Sequence, residues 1–291
     1  MGSTSRRRAE WLLSLPTLAW LALFVVVPTL FVFVIAFRPA DPYGGIGAGW
    51  TADAVRALWA PGTLAIAWRT LWASLLTTAI SLVLAVPTGY AIARAPARWR
   101  NRLLLLVVVP FWTSFLVRVF AWKSLLHPDG PVKRALEALG LAGPGTTLLY
   151  NPGAVVLVMV YTFLPFTILP IYAAAEKFDF RLVEAARDLG AGPFQAFRRV
   201  FLPGIGRGVL TAFLVVFIPA LGSYIIPDLV GGPAGEMLGN KIAQRVFTDR
   251  NLPQAAALSA VLILAVLAPL VGVLSLQRKG RKADIVMGES P

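Results

Sequence analysis

The stretch "EAARDLGAGPFQAFRRVFLP", residues 184–203, decides how the whole chain is read. It carries charges of both signs, two glycines and two prolines, yet apolar runs of membrane length lie on either side. A link that only reversed the chain would be shorter, since helix-to-helix connections in bundles take about 2–8 residues. Leu182–Leu189 has helical character, with Glu184, Arg187 and Asp188 exposed around the pair Ala185 and Ala186. Gly190 then stands where a helix favours a left-handed C-terminal residue. Gly192-Pro193 restarts the chain, because proline suits the first turn of a helix. Phe194–Phe201 follows, and Leu202-Pro203 is expected to end it before the next apolar run. The segment is therefore predicted to be a helix–turn–helix at a membrane surface. Its paired alanines let a partner's backbone approach closely, and Glu184 offers a carboxylate to a basic partner.

The rest of the chain explains why such a segment needs a membrane. Only 14% of the 291 residues are charged and 57% are hydrophobic, where soluble proteins carry about 25% charged residues. Six apolar runs are long enough to cross a ~30 Å hydrocarbon core. They are Trp11–Phe37, Thr70–Ala93, Leu103–Trp122, Ala154–Ala175, Gly208–Pro227 and Ala255–Leu276. The predicted fold is an all-α membrane protein of six transmembrane helices in a single transmembrane domain, 1–291. Within it, 1–10 is an N-terminal segment, about 64–276 the core, 176–207 the loop and 277–291 a tail. Arg6, Arg7 and Arg8 precede the first run as in a signal peptide. Its apolar core exceeds the usual ~7–15 residues, however, and no Ala-x-Ala site closes it before Arg38, so a retained helix is expected.

Charge placement sets the expected orientation. Seventeen Lys and Arg residues fall on the face holding both termini and the quoted loop, against eight on the other face. The positive-inside bias then puts both termini and residues 176–207 in the cytoplasm. The net charge of +13 reads as a topology signal and not as a nucleic-acid footprint. With no cysteine and one histidine, His127, beside Pro128-Asp129-Gly130, neither a thiolate nor a His-cluster metal site is available. Proline recurs inside the runs at Pro28, Pro87, Pro110, Pro165, Pro170, Pro219 and Pro269, where each removes a backbone donor and can kink its helix. Segments 38–69, 123–153 and 228–254 have room for short surface helices, of which Val132–Leu139 is one.

At the loop a family resemblance enters. Glu184-Ala185-Ala186, three residues, Gly190, nine residues, Val200-x-Leu202-Pro203 resembles the EAA loop of ABC importer permeases in all seven fixed positions. At average residue frequencies such a match arises by chance in about one such chain in ten thousand. The resemblance implies a type I importer permease fold whose loop docks on a cytoplasmic ATPase. The chain has no Gly-x4-Gly-Lys-Ser/Thr loop. It is thus expected to be a transport subunit and not an enzyme, binding no cofactor itself, with ATP and Mg used by the partner. The resemblance extends over about residues 10–280 to the polyamine branch through "PFWTSFLVRVFAWKSLL" (110–126), "YTFLPFTILPIYAA" (161–174), "FIPALGSYIIPDLVGGP" (217–233) and "NLPQAAALSAVL" (251–262). It implies a homologous second permease, two ATPase copies, an extracytoplasmic substrate-binding protein, membrane lipid around the bundle, no nucleic acid, and residence in the bacterial inner membrane. Ser223 departs from the pattern, which has an acidic residue there.

A polyamine path would offer aromatic faces and carboxylates to ammonium groups. Phe111, Trp112, Tyr161, Tyr224 and Asp228, with Ser223 at the departing position, are the candidates. Each also has a packing or interfacial reading. Arg118 is read as a snorkelling or paired side chain near the outer surface, outside a cation's path. Another small solute in the same fold (a different organic cation, an opine, an aminophosphonate or ferric ion) stays open. A proton-coupled carrier would need carboxylates or histidines inside the runs, and no acidic residue falls there.

Overall fold

A computed structural model describes residues 14–143 and 145–288, with side chains as far as residue 272. Arg6, Arg7, Arg8 and the first three residues of the first expected span lie outside the described residues, as do residues 289–291 of the tail. Eleven helices carry the described fold: α1 Ser14–Ile35, α2 Pro61–Arg94, α3 Ala97–Trp112, α4 Phe115–Leu125 and α5 Pro131–Ala138. They continue with α6 Pro152–Glu176, α7 Arg181–Asp188, α8 Pro193–Gly204, α9 Gly206–Leu221, α10 Leu238–Phe247 and α11 Leu252–Gly288. Short turns at Asp53–Arg56 and Ala57–Trp59 precede α2. The surface helix expected at 132–139 is α5.

Four helices, α1, α2, α6 and the first part of α11, are long and apolar enough to span a membrane alone. The third and fifth expected spans are not straight helices. The third breaks between α3 and α4 with an 88° bend. Pro110 sits in a 3-10 turn, Val109–Trp112, and Thr113 and Ser114 are extended. The hydroxyl of Thr113 donates to the Pro110 carbonyl at 2.7 Å, satisfying an oxygen that the broken helix leaves open. The fifth span ends at Leu221, short of Pro227, because Gly222 and Ser223 leave the helix and Pro227–Gly231 forms a separate π turn.

Leu202-Pro203 lies in the last turn of its helix, as expected. α8 runs on to Gly204 and bends by 71° into α9 at Ile205. A π turn at Phe197–Phe201 widens the backbone just before Pro203. That spares the clash with the carbonyl four residues back that proline makes in a regular helix.

The chain divides into two units, residues 1–64 with 241–265 and residues 65–240 with 266–291. In the first, Ala36, Ala256 and Ala257 form a small core packed by Val32, Ile35, Val55 and Leu58. The second unit is built around α6, where 61% of its most apolar window is buried. One core gathers Val119, Val155, Val158, Met159, Ile226, Val230 and Met237. The other gathers Ala85, Ile92, Ile168, Ile171, Val183, Phe201 and Ile205. Thr70, Ser74, Thr77, Thr78 and Ser81 are buried at three- and four-residue spacing along α2. Such small residues let membrane helices approach closely. At Gly208 α9 comes close to α6, since an added Cβ would lie 2.3 Å from the Ala174 Cβ. Gly208→Leu is therefore expected to separate α9 from α6 and abolish accumulation of the protein, read by membrane immunoblot. Abundance equal to the unmodified chain would refute that packing.

Candidate functional site

The predicted helix–turn–helix is present, and its two halves face different ways. Asp179 Oδ1 accepts the Arg181 N–H at 3.0 Å as α7 begins. Val183 turns inward while Glu184, Ala185, Arg187 and Asp188 are exposed. Ala186 is half-buried against the core, so of the alanine pair Ala185 is the outward residue. Gly190 has φ +89°; its N–H donates to Arg187 O at 2.9 Å and that of Ala191 to Ala186 O at 3.0 Å. These two bonds make a Schellman cap. Nothing lies within 4 Å of a Cβ added at Gly190, so backbone angle alone demands glycine there. Pro193 opens α8 as expected. Val200 and Leu202 are half-buried and pack on the core, and Pro203 is exposed. The motif thus separates into outward residues, a turn, and anchoring residues.

Two outward residues were missed in the sequence. Leu189 and Phe194 are 90% and 74% exposed, flanking the Gly190 turn with large apolar side chains. The signal was available: apolar residues that break the inward rhythm of Val183, Ala196 and Phe201 have no core to fill. Behind the turn, five rings hold the loop to the bundle. Phe201 is fully buried and lies 4.8 Å from Tyr90, 5.3 Å from Phe178, 5.4 Å from Phe197 and 6.0 Å from Phe180, between ring centroids. The Arg94 guanidinium lies over both Tyr90 and Phe180. Nearby, Glu176 accepts from Arg100 at 3.2 Å and from the Tyr172 hydroxyl at 2.7 Å, joining α3 to the end of α6.

The proposed path residues fall into separate groups. Phe111 is half-buried, edge-on to Phe166 at 4.7 Å, and the Arg118 guanidinium stands over its ring at 4.7 Å. A cation already occupies that aromatic face. Trp112, next in the chain, is 77% exposed at the α3–α4 break. Tyr161 meets Trp122 edge-on at 5.3 Å. Ser223, Tyr224 and Asp228 come together on the segment after α9, with Ser223 half-buried and the other two exposed. His127 is an exposed loop residue beside Asp129. Among the described residues no cluster of three or more metal-ligating side chains occurs.

Groups that the sequence did not single out hold the stretch from Ser223 to Asn240. From α2, Arg69 donates to the carbonyls of Pro233 and Glu236 at 3.2 and 3.4 Å, and Thr70 Oγ1 accepts the Leu238 N–H at 2.8 Å. Tyr150 N–H donates to Val230 O at 2.9 Å. At the start of α10, Asn240 is buried, with its Oδ1 accepting from Met237 N at 3.2 Å. Its Nδ2 donates to Tyr224 O at 3.0 Å and to Asp228 Oδ1 at 3.4 Å. A lone amide in "MLGNK" carries no sequence pattern that marks it.

Known proteins bear out the architecture. The family model described as "Binding-protein-dependent transport system inner membrane component" matches residues 81–280. The spermidine/putrescine transport system permease protein PotB of Haemophilus influenzae is 35% identical over 241 residues, 83% of this chain and 84% of that protein. Its Escherichia coli counterpart is 34% identical over 245 residues, 84% and 89% of the two chains. A chain in the structure of a bacterial alginate ABC transporter, in complex with an alginate pentasaccharide-bound periplasmic protein, superposes with a TM-score of 0.72. At 16% identity over 94% of this chain and 96% of that one, it speaks for the fold alone. With the family model spanning the second to the last apolar helix and relatives above 30% identity along most of their length, this chain belongs to the binding-protein-dependent transport system inner membrane components.

Proposed function

We propose that this chain is the permease subunit of an ATP-driven importer of polyamines in the bacterial inner membrane. The observation that carries the cargo assignment is the 34–35% identity to spermidine/putrescine permeases over more than four-fifths of the chain. The exposed Glu184, Ala185, Leu189 and Phe194 around the Gly190 turn form a surface suited to an ATPase groove. The chain works with a homologous second permease, two copies of the ATPase and an external binding protein that delivers cargo. Copurification from membranes should bring down a second permease and an ATPase, and uptake of labelled putrescine or spermidine should require ATP. A purified complex that hydrolyses ATP in response to its binding protein yet moves neither polyamine would remove the cargo assignment.

The charge asymmetry supports an orientation with both termini and residues 176–207 in the cytoplasm. Because the chain has no cysteine, single cysteines report this directly. A cysteine at exposed Gln195 should resist an impermeant thiol reagent applied to intact cells, and one at Tyr43, 96% exposed, should react. The reverse pattern would invert the topology.

Among the candidate aromatics Trp112 is the most exposed, while Phe111 is covered by Arg118. Trp112→Leu keeps apolar bulk and removes the indole. A desolvated cation–π contact is worth about 2 kcal/mol, so uptake of both polyamines should fall roughly 30-fold at equal membrane abundance. Unchanged uptake would take Trp112 off the path.

A further inference from the structure

We propose that Asn240 is a positioning residue for the cationic cargo, acting through the carboxylate of Asp228. The inference rests on the reading of Asp228 as a cargo contact and adds the group that aims it. Asp228 lies in the π turn Pro227–Gly231, and its backbone N–H donates to Tyr224 O at 3.0 Å. Its side chain is exposed, so nothing in that turn holds the carboxylate in one direction. Asn240 does. Its amide is buried at the start of α10, where one side-chain oxygen and one nitrogen join three points: Met237 N, Tyr224 O and Asp228 Oδ1.

The chemistry fits an amide better than any alternative of that size. The oxygen must accept a backbone N–H and the nitrogen must donate twice, a division that aspartate and leucine cannot reproduce. A neutral donor also leaves the negative charge of Asp228 uncancelled, where a lysine or arginine at 240 would pair with it. The carboxylate keeps its attraction for an ammonium group while losing rotational freedom, which is how a neighbouring shell orients a binding group. Close packing at Gly239 sets the register. A Cβ there would lie 2.7 Å from Ser223 O and 2.9 Å from the Tyr224 Cβ, so the Ser223–Asp228 segment and the start of α10 are locked together.

The test is a double-mutant cycle in proteoliposomes holding the complete transporter and saturating binding protein, read as spermidine moved per ATP hydrolysed. Asp228→Ala and Asn240→Ala should each lower that ratio about tenfold, the size of one hydrogen bond to a charged group. Combined, they should still lower it about tenfold, because Asn240 has nothing left to aim. An approximately hundredfold loss in the double variant would show independent action and overturn the positioning role. Where Asn240→Ala fails to accumulate, Asn240→Asp takes its place, since it keeps the side chain's shape and the bond from Met237 N. Normal coupling in whichever Asn240 variant accumulates, with Asp228→Ala impaired, would overturn the inference and leave Asp228 as a cargo contact. Normal coupling in Asp228→Ala would remove both.

Discussion

Phe201→Ala is expected to detach the 176–207 loop from the bundle and abolish uptake. The ring is fully buried and is the member of its cluster that touches the other four, Tyr90, Phe178, Phe180 and Phe197. Truncating a buried phenylalanine costs about 3–5 kcal/mol, part of it lost transfer energy and part the cavity left behind. At this position the loss falls on one joint. α7 and α8 are short, and besides these rings it is Val183, Ala186, Ala196, Val200, Leu202 and Ile205 that hold them in place. Protease cleavage within 176–207 should accelerate by a hundredfold or more, following the population of the open form. Phe201→Leu, which keeps most of the volume, should accumulate and transport at a reduced rate. Cleavage and uptake in the alanine variant within twofold of the unmodified protein would show that the ring cluster does not bear the loop.

Gly190→Asp should act differently, leaving the bundle inserted and folded while transport falls by more than a hundredfold. The space around Gly190 is open, with nothing within 4 Å of an added Cβ. What changes is the backbone. At φ +89° an L-residue is strained by about 1–2 kcal/mol, enough to open the Schellman bonds from Gly190 and Ala191. The turn sets the angle between α7 and α8, so the exposed Glu184 and Ala185 would change their placement relative to the exposed Phe194. The aspartate also adds a negative charge near Glu184 and Asp188. ATPase activity of the complex should become independent of the binding protein, and membrane abundance should stay unchanged. Gly190→Ala separates the causes, since it carries the strain without the charge. Full uptake by Gly190→Asp at normal abundance would exclude a docking role for the turn.

Much of this site was legible because its determinants are local. A glycine placed for a left-handed cap and a proline placed for a first helical turn act over four residues, and both are found where the order of residues 184–203 requires. The six apolar runs likewise fall on four helices long enough to span and on two bent helix pairs, since length and hydropathy are what a hydrocarbon layer selects. The kink expected at Pro110 is present, but prolines have more than one outcome open. Pro203 remains within a helix because a π turn precedes it, whereas Pro110 leads into a broken one. Which happens depends on whether neighbouring groups can satisfy the freed carbonyls, as the Thr113 hydroxyl does for Pro110.

By itself the order of residues determined the helical class, the number of apolar segments and the turn at Gly190, all consequences of chain-local preferences and of transfer from water to lipid. Only the tertiary structure decided that Val200 and Leu202 anchor, that Ala185 and not Ala186 is the outward member of the alanine pair, that Arg118 covers Phe111, and that Asn240 reaches Asp228. The physical reason is range. A hydrogen bond between residues twelve apart, or a ring packed across three segments, depends on distances that arise only once the helices have packed, and no periodicity along the chain encodes them.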